Sequence, residues 1–321
     1  MSAMSEKTEA PSVDANIRFQ FAETMLSVGQ VDPQLVVMVG DISHFALQPF
    51  AEACPGRYFN IGICEPTSVS MAAGLSRVGL YPVFHTIAPF IIERSFEQIK
   101  LDFCYQKLGG NLVTVGSAFD YSNLGVTHHC YDDFALLKTL PNTEIFHPAS
   151  AVEFDTLFRQ SYRNEKLSLF RIPGKPHGLA IDPAQIVAGA AIRIESGSDL
   201  TIVATGTQLA NATGALAELR ASGWDPEILY IHTVQPLDTA AIRESVSKTG
   251  RVLVIEEHME NGGLGDSVLR GVHDLRPLQF ASIGIPNKFV TGYGSYEEHC
   301  ETLGLTSAGI LRTVKKEFDQ S

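Results

Sequence analysis

No run of apolar residues in this sequence approaches the roughly 20 that a membrane-spanning helix needs. The N-terminal MSAMSEKTEAPSVDA has no basic stretch leading into an apolar one, so it reads as a polar, disordered tail over residues 1–15 rather than a secretory signal. Positive charge is scarce: 24 Lys and Arg against 36 Asp and Glu leave a formal charge of −12. That balance argues against nucleic acid or an anionic membrane as a main partner, and admits a phosphorylated substrate only where basic residues gather locally. The five cysteines are scattered without a CxxC pair, which suits reduced thiols in a cytoplasm. Three catalytic signatures are missing as well: GxSxG, a Walker A loop, and GxGxxG after a strand. His128 and His129 are adjacent and cannot serve one metal from one helix face, and no other histidine pairs with cysteine or carboxylate at ligand spacing. A metal site made by this chain alone is therefore not expected.

What is present is a globular chain of 321 residues, 45% hydrophobic and 19% charged. That is too long for one ordinary core and suits two domains of roughly 130 to 170 residues. LVVMVGD (35–41), YPVFHTI (81–87), NLVTVGS (111–117), TEIFHP (143–148) and LSLFRIP (167–173) read as strands. They are apolar throughout rather than alternating, the pattern of a parallel sheet covered on both faces. SVSMAAGLS, RSFEQIKLDFCYQK and SAVEFDTLFRQSYRN read as helices between them, the last opening with Ser150 and Glu153 at capping-box spacing. Pro, Gly and polar residues then concentrate over 176–198, which reads as a linker. Beyond it TIVATGT, EILYIHTV, RVLVIEEH and QFASIGI alternate with helical segments, the last opened by Thr306. The expected fold class is α/β, two consecutive doubly wound domains at 16–175 and 199–321.

Three places carry more chemistry than packing requires. Glu65 is the single acid between Phe59 and Phe84 and is followed by Pro66. It is either a helix-start residue meeting the helix dipole or a carboxylate facing a polar group that the chain does not itself contain. GVTHHCYDD (125–133) packs His128, His129, Asp132 and Asp133 into one connection between strands, where α/β proteins place their chemistry. Arg171 ends an apolar strand, as a structural ion pair or an anion clamp. The glycines of ENGGLGDSV lack dinucleotide spacing and suit a helix start packed closely on the sheet.

Taken in order, the motifs resemble the second half of the transketolase family, its pyrimidine-binding domain followed by its C-terminal domain, from about Arg18 onward. GICEPTSVSMAAGLS is similar to the stretch around the family's catalytic glutamate, and PVFHTIAPFIIERSFEQI to its aromatic pyrimidine pocket. GVTHH resembles its GPTHQ loop, LLKTLPNTEIFHPASAVE the strand and helix that follow, and HTVQPLD and EEHMENGGLGDS its C-terminal domain. The resemblance implies that Glu65 hydrogen-bonds the pyrimidine of thiamine diphosphate, favouring the imino group that deprotonates the thiazolium carbon. By the same resemblance Phe90 stacks on that ring, Ile87 lines it as an apolar wall where many members carry an aromatic, and Asp41 is a cofactor-side acid. His128 stands near the reactive centre, and Arg171 and Arg18 grip a substrate phosphate.

Departures from the family pattern bear on substrate and assembly. Where sugar-phosphate transketolases carry a histidine and an aspartate for donor hydroxyls, this sequence has Gly116 and Leu124. Leucine accepts no hydrogen bond, so an altered, less hydroxylated donor or acceptor is implied. The family's metal-holding GDG motif is absent, and the near miss Gly265-Asp266-Ser267, with Asn287 beyond it, falls inside the C-terminal-domain motif. The expectation is one subunit of a split, cytoplasmic transketolase, in an α2β2 heterotetramer whose partner supplies the diphosphate and Mg2+ sites. A beta subunit of a 2-oxo acid or acetoin dehydrogenase and a silent scaffold subunit are the alternatives. THH followed by LLKTLPN favours transketolase over the first, and Glu65 argues against the second.

Overall fold

The computed structural model describes residues 16–319, so the tail expected over residues 1–15 lies outside the described residues. The first half contributes β1 (Leu35–Val39), β2 (Tyr58–Asn60), β3 (Tyr81–Ile87), β4 (Gly110–Val115), β5 (Thr143–Phe146) and β6 (Leu167–Ile172). The second contributes β7 (Ile192–Glu195), β8 (Leu200–Ala204), β9 (Pro226–Tyr230), β10 (Thr233–Gln235), β11 (Arg251–Met259) and β12 (Gln279–Ile285). Among the described residues they form a seven-stranded sheet ordered β10-β5-β6-β4-β3-β1-β2 and a five-stranded sheet ordered β12-β11-β8-β9-β7. Pairing is parallel except for β10 on β5 and β7 on β9. Every residue of β1, β4, β5, β6, β8 and β9 is buried, which is why these strands lack alternation: helices cover both faces.

Two elements depart from the sequence reading. The linker expected over 176–198 ends in β7, an edge strand whose half-exposed IRIE pairs antiparallel with β9. An edge strand wet on one side loses the apolar signature on which the reading relied. EILYIHTV also divides. Its last part, β10, leaves the second sheet and adds to β5 of the first, with Thr233 opposite Phe146, so one short strand stitches the two halves together.

The helix starts explain themselves locally. Ser150 caps the helix Ala151–Ser161 through the N–H of Glu153, at 3.2 Å. The Glu153 carboxylate instead accepts from the Ala149 N–H at 2.7 Å, the Tyr230 hydroxyl at 2.8 Å and His177 at 2.6 Å, joining the two halves. Thr306 caps Ser307–Glu317. At the ENGGLG segment the Glu256 carboxylate of β11 accepts from the N–H groups of Leu264 and Gly265 at 2.6 and 2.7 Å, capping the helix Leu264–Val272. A Cβ on Gly263 would come within 2.6 Å of that carboxylate; the glycine is what lets the helix start approach. No described helix is long and apolar enough to cross a membrane.

Candidate active site

In the first sheet the chain turns away from the carboxyl ends of β1, β3, β4 and β6 at Gly40-Asp41, Ile87-Ala88, Gly116-Ser117 and Pro173-Gly174. Such strand ends gather side chains from distant parts of a sequence into one groove. The helix Glu65–Arg77 starts there, with Glu65 in its first turn and Pro66 beside it. The helix-start reading applies to Glu65, whose carboxylate here meets a polar group of this same chain. Its side chain is only 2% exposed, and its carboxylate Oε2 accepts from Arg94 Nη1 at 2.9 Å. Arg94 is itself 45% exposed. Its guanidinium also lies over the Phe90 ring, 4.3 Å from the centroid, and Phe90 stands edge-on to His128 at 5.2 Å. Tyr121 continues the row, 6.1 Å from His128.

Glu65, Phe90 and His128, chosen from sequence, are thus brought together. Arg94 and Tyr121, which complete the row, were missed; the signal for Arg94 was a cation inside an otherwise apolar, aromatic segment. Ile87 is half-buried at the end of β3, just before the short helix Ala88–Ile92 that carries Phe90. Asp41 is exposed, and its Oδ1 accepts from Asn60 Nδ2 at 3.0 Å. Asn60 Oδ1 in turn accepts from the N–H groups of Asp41 and Gly62, each at 3.1 Å. Asp41 thereby braces the loop that leads into Glu65.

Arg18 is half-buried and donates from Nε to Ser43 Oγ at 2.6 Å. Ser43 meets His85 Nε2 at 2.8 Å, and His85 Nδ1 reaches the Val113 carbonyl at 2.8 Å. Burial first, then the Arg18 charge, holds His85 neutral, its pKa down at about 3. The relay runs in one direction: guanidinium to hydroxyl, hydroxyl to imidazole Nε2, imidazole Nδ1–H to backbone carbonyl. It leaves both terminal nitrogens of Arg18 without a partner among the described residues, beside a cleft of about 430 Å³ formed by residues that include Asp41, Ser43 and His44.

The expectation for Arg171 does not fit its position. Its side chain is fully buried, and Nη2 donates to the carbonyls of Cys130 and Glu257 at 2.9 and 3.0 Å. Nε lies 3.4 Å from the buried Asp133 carboxylate, and the guanidinium sits over Phe134 at 4.8 Å. Enclosed in this way, Arg171 offers no exposed face to a substrate phosphate, and its Nε and Nη1 have no hydrogen-bond partner among the described residues. Among the described residues one group has metal-ligand spacing, Glu93, Cys130 and Asp132, with ligand atoms within 4.8 Å of one another. There burial and the neighbouring Asp132 charge raise the Glu93 carboxyl above the usual carboxylate range.

The residues gathered here have the chemistry to hold an aminopyrimidine. A buried acceptor, Glu65, and the open face of an aromatic ring, Phe90, are both covered by one half-exposed guanidinium, which is planar and donates N–H groups as an aminopyrimidine does. The family model described as transketolase, pyrimidine binding domain, matches residues 14–175, and that described as transketolase, C-terminal domain, matches 189–310. The chain is 31% identical over 300 residues to an apulose-4-phosphate transketolase subunit of Phocaeicola vulgatus, covering 92% of this chain and 96% of that one. It is 27% identical over 302 residues to a 6-deoxy-6-sulfo-D-fructose transketolase subunit of a Clostridium species, covering 93% of each. A solved structure described as a split gene transketolase, inactive beta4 tetramer, superposes with a TM-score of 0.85 at 29% identity, over 95% of this chain and 99% of that one.

Proposed function

Since the chain belongs to the transketolase family, we propose that it is the pyrimidine-binding subunit of a two-component transketolase. The assembled enzyme moves a two-carbon ketol unit from an anionic ketose to an aldehyde. The observation that carries this reading is the buried Glu65 carboxylate beside the Phe90 ring face, both covered by the movable Arg94. Thiamine diphosphate, when bound, supplies a carbon nucleophile and an electron sink. Glu65 would hydrogen-bond the pyrimidine through its carboxylate, and Phe90 would lie against the face of the ring. His128, edge-on to Phe90, lies where it can orient the reacting carbonyl. Arg18, with its terminal nitrogens open, takes the anionic end of the substrate in place of Arg171.

The sequence contains no Gly-Asp-Gly, so the diphosphate and Mg2+ are assigned to a partner subunit, in an α2β2 assembly. A solved relative described as an inactive tetramer of beta chains supports the need for that partner. All five cysteines are free thiols, in keeping with the cytoplasmic residence we assign. The test is reconstitution with a partner that carries the missing motif. The isolated chain turns over no ketose and the complex does. Glu65→Gln lowers kcat of the complex by about 100-fold or more and leaves its mass on size exclusion unchanged. Full turnover by the isolated chain, or an unimpaired Glu65→Gln complex, overturns the proposal.

A further inference from the structure

Neither Gly116 nor Leu124 offers a side-chain hydrogen bond to a donor sugar, yet the groove is not featureless at that point. Gly116, at the end of β4, has φ +96°. A Cβ there would lie 2.9 Å from Tyr121 Cε2 and 3.2 Å from Cδ2. The Tyr121 ring therefore occupies the space that a side chain at 116 would fill. The loop backbone around it is held from two directions. Asp120 Oδ2 accepts from the N–H groups of Ser117 and Gly174, at 2.5 and 2.8 Å. The Tyr121 carbonyl accepts from the Leu124 N–H at 2.9 Å, which closes the turn Ser122–Leu124.

The Tyr121 side chain is half-buried, and its hydroxyl has no hydrogen-bond partner among the described residues. One neighbour is His128, at 6.1 Å between rings and an interplanar angle of 59°. Another is Arg18, whose charge acts on the phenol against the raising effects of burial and of Asp120. The row thus runs from Glu65 and Phe90 through His128 to Tyr121, with the Arg18 cation in electrostatic reach of the phenol. Its chemistry passes from ring recognition, through a neutral hydroxyl, to a cation.

Resting on the transketolase reading, we propose that Tyr121 determines donor specificity: its hydroxyl hydrogen-bonds the C4 hydroxyl of a ketose whose carbonyl end faces His128 and whose anionic end faces Arg18. The substrate class is an anionic ketose whose C3 hydroxyl becomes the aldehyde oxygen as the C2–C3 bond breaks, and in which a further hydroxyl, at C4, lies between C3 and the anion. The phenol serves as donor or acceptor, so it reads the presence of that hydroxyl rather than its direction.

Tyr121→Phe keeps the ring over Gly116 and removes only the hydroxyl. In the reconstituted complex it is expected to lower kcat/KM for a ketose phosphate bearing the C4 hydroxyl about 10-fold, mainly through KM, and to leave the 4-deoxy analogue unaffected. Equal loss for both donors, or no loss for either, overturns the assignment. Calorimetric binding of the same ketose phosphate to the complex without cofactor gives a second readout. The variant should weaken binding by a similar factor, and an unchanged Kd refutes the role of Tyr121. If the wild-type complex binds the ketose through Tyr121 and transfers nothing, the transketolase reading fails and the Tyr121 contact stands.

Discussion

Arg171→Met is expected to unfold the protein more readily rather than to change its substrate preference. Arg171 is enclosed between the carbonyl of Cys130, in the first half, and that of Glu257, on β11 of the second, with Asp133 as its charge partner. Removing the guanidinium leaves two buried carbonyls short of a donor and one buried carboxylate unpaired. Losing one member of such a pair costs about 3–5 kcal/mol. At about 2–4 °C per kcal/mol for domains of 150–250 residues, Tm falls by roughly 6–20 °C. Burial pushes the Asp133 carboxyl up to about 6 even with Arg171 beside it. A folded pKa raised above the unfolded value means that Asp133 contributes stability at low pH which is lost as pH rises through about 6. Only the ionised carboxylate couples to Arg171, so a double-mutant cycle of Arg171→Met with Asp133→Asn should give a coupling free energy that is larger at pH 8 than at pH 5. Far-UV circular dichroism during thermal and urea denaturation measures both. A Tm within a degree of wild type, together with selective loss of affinity for phosphorylated donors, would refute the argument and return Arg171 to the phosphate.

Arg94→Met in the isolated chain removes a half-exposed ion pair and a cation–π contact together worth about 1–2 kcal/mol, a factor of about 5 to 30. Thiamine, followed by ligand-detected NMR, should bind the variant more tightly by a factor in that range, and equal binding would show that Arg94 does not hold the place of the ring. Burial pushes the Glu256 carboxyl up to about 7 despite its two backbone N–H donors. It therefore stabilises the fold below the unfolded carboxyl range and loses that contribution as pH rises through about 7. Urea midpoints should show wild type losing stability relative to Glu256→Gln between about pH 4.5 and 7, and parallel curves would mean that the carboxyl titrates normally.

The parallel sheet was legible because strands buried on both faces, such as LVVMV of β1 and LSLFRI of β6, have no other way to be written. Glu65 was legible because an acid in an apolar stretch demands a partner. The identity of that partner was not legible, since Arg94 lies 29 residues away and meets Glu65 only once the helix Glu65–Arg77 and the loop after β3 are in place. Arg171 shows the same limit. Its strand names a cation, but the carbonyls that claim it are 41 and 86 residues distant. Tyr121 was hidden for the opposite reason. A tyrosine in a loop carries no signal until the positive φ of Gly116 shows what lies over it.

The surroundings of Glu65 bear on the two-component reading. Phe59, Ile63 and Met71, on either side of the carboxylate in sequence, are 41%, 70% and 45% exposed. On the two-component reading, these are side chains that a partner subunit would cover. A partner seated there would dry the groove and raise the cost of any unpaired charge within it. Until that happens Arg94 compensates Glu65, and moving it out into solvent gives up the ion pair and the cation–π contact, about 1–2 kcal/mol. On the proposed reading, Glu65 and Phe90 are already held by their own elements, and Arg94 is the side chain that would move for the ring to enter.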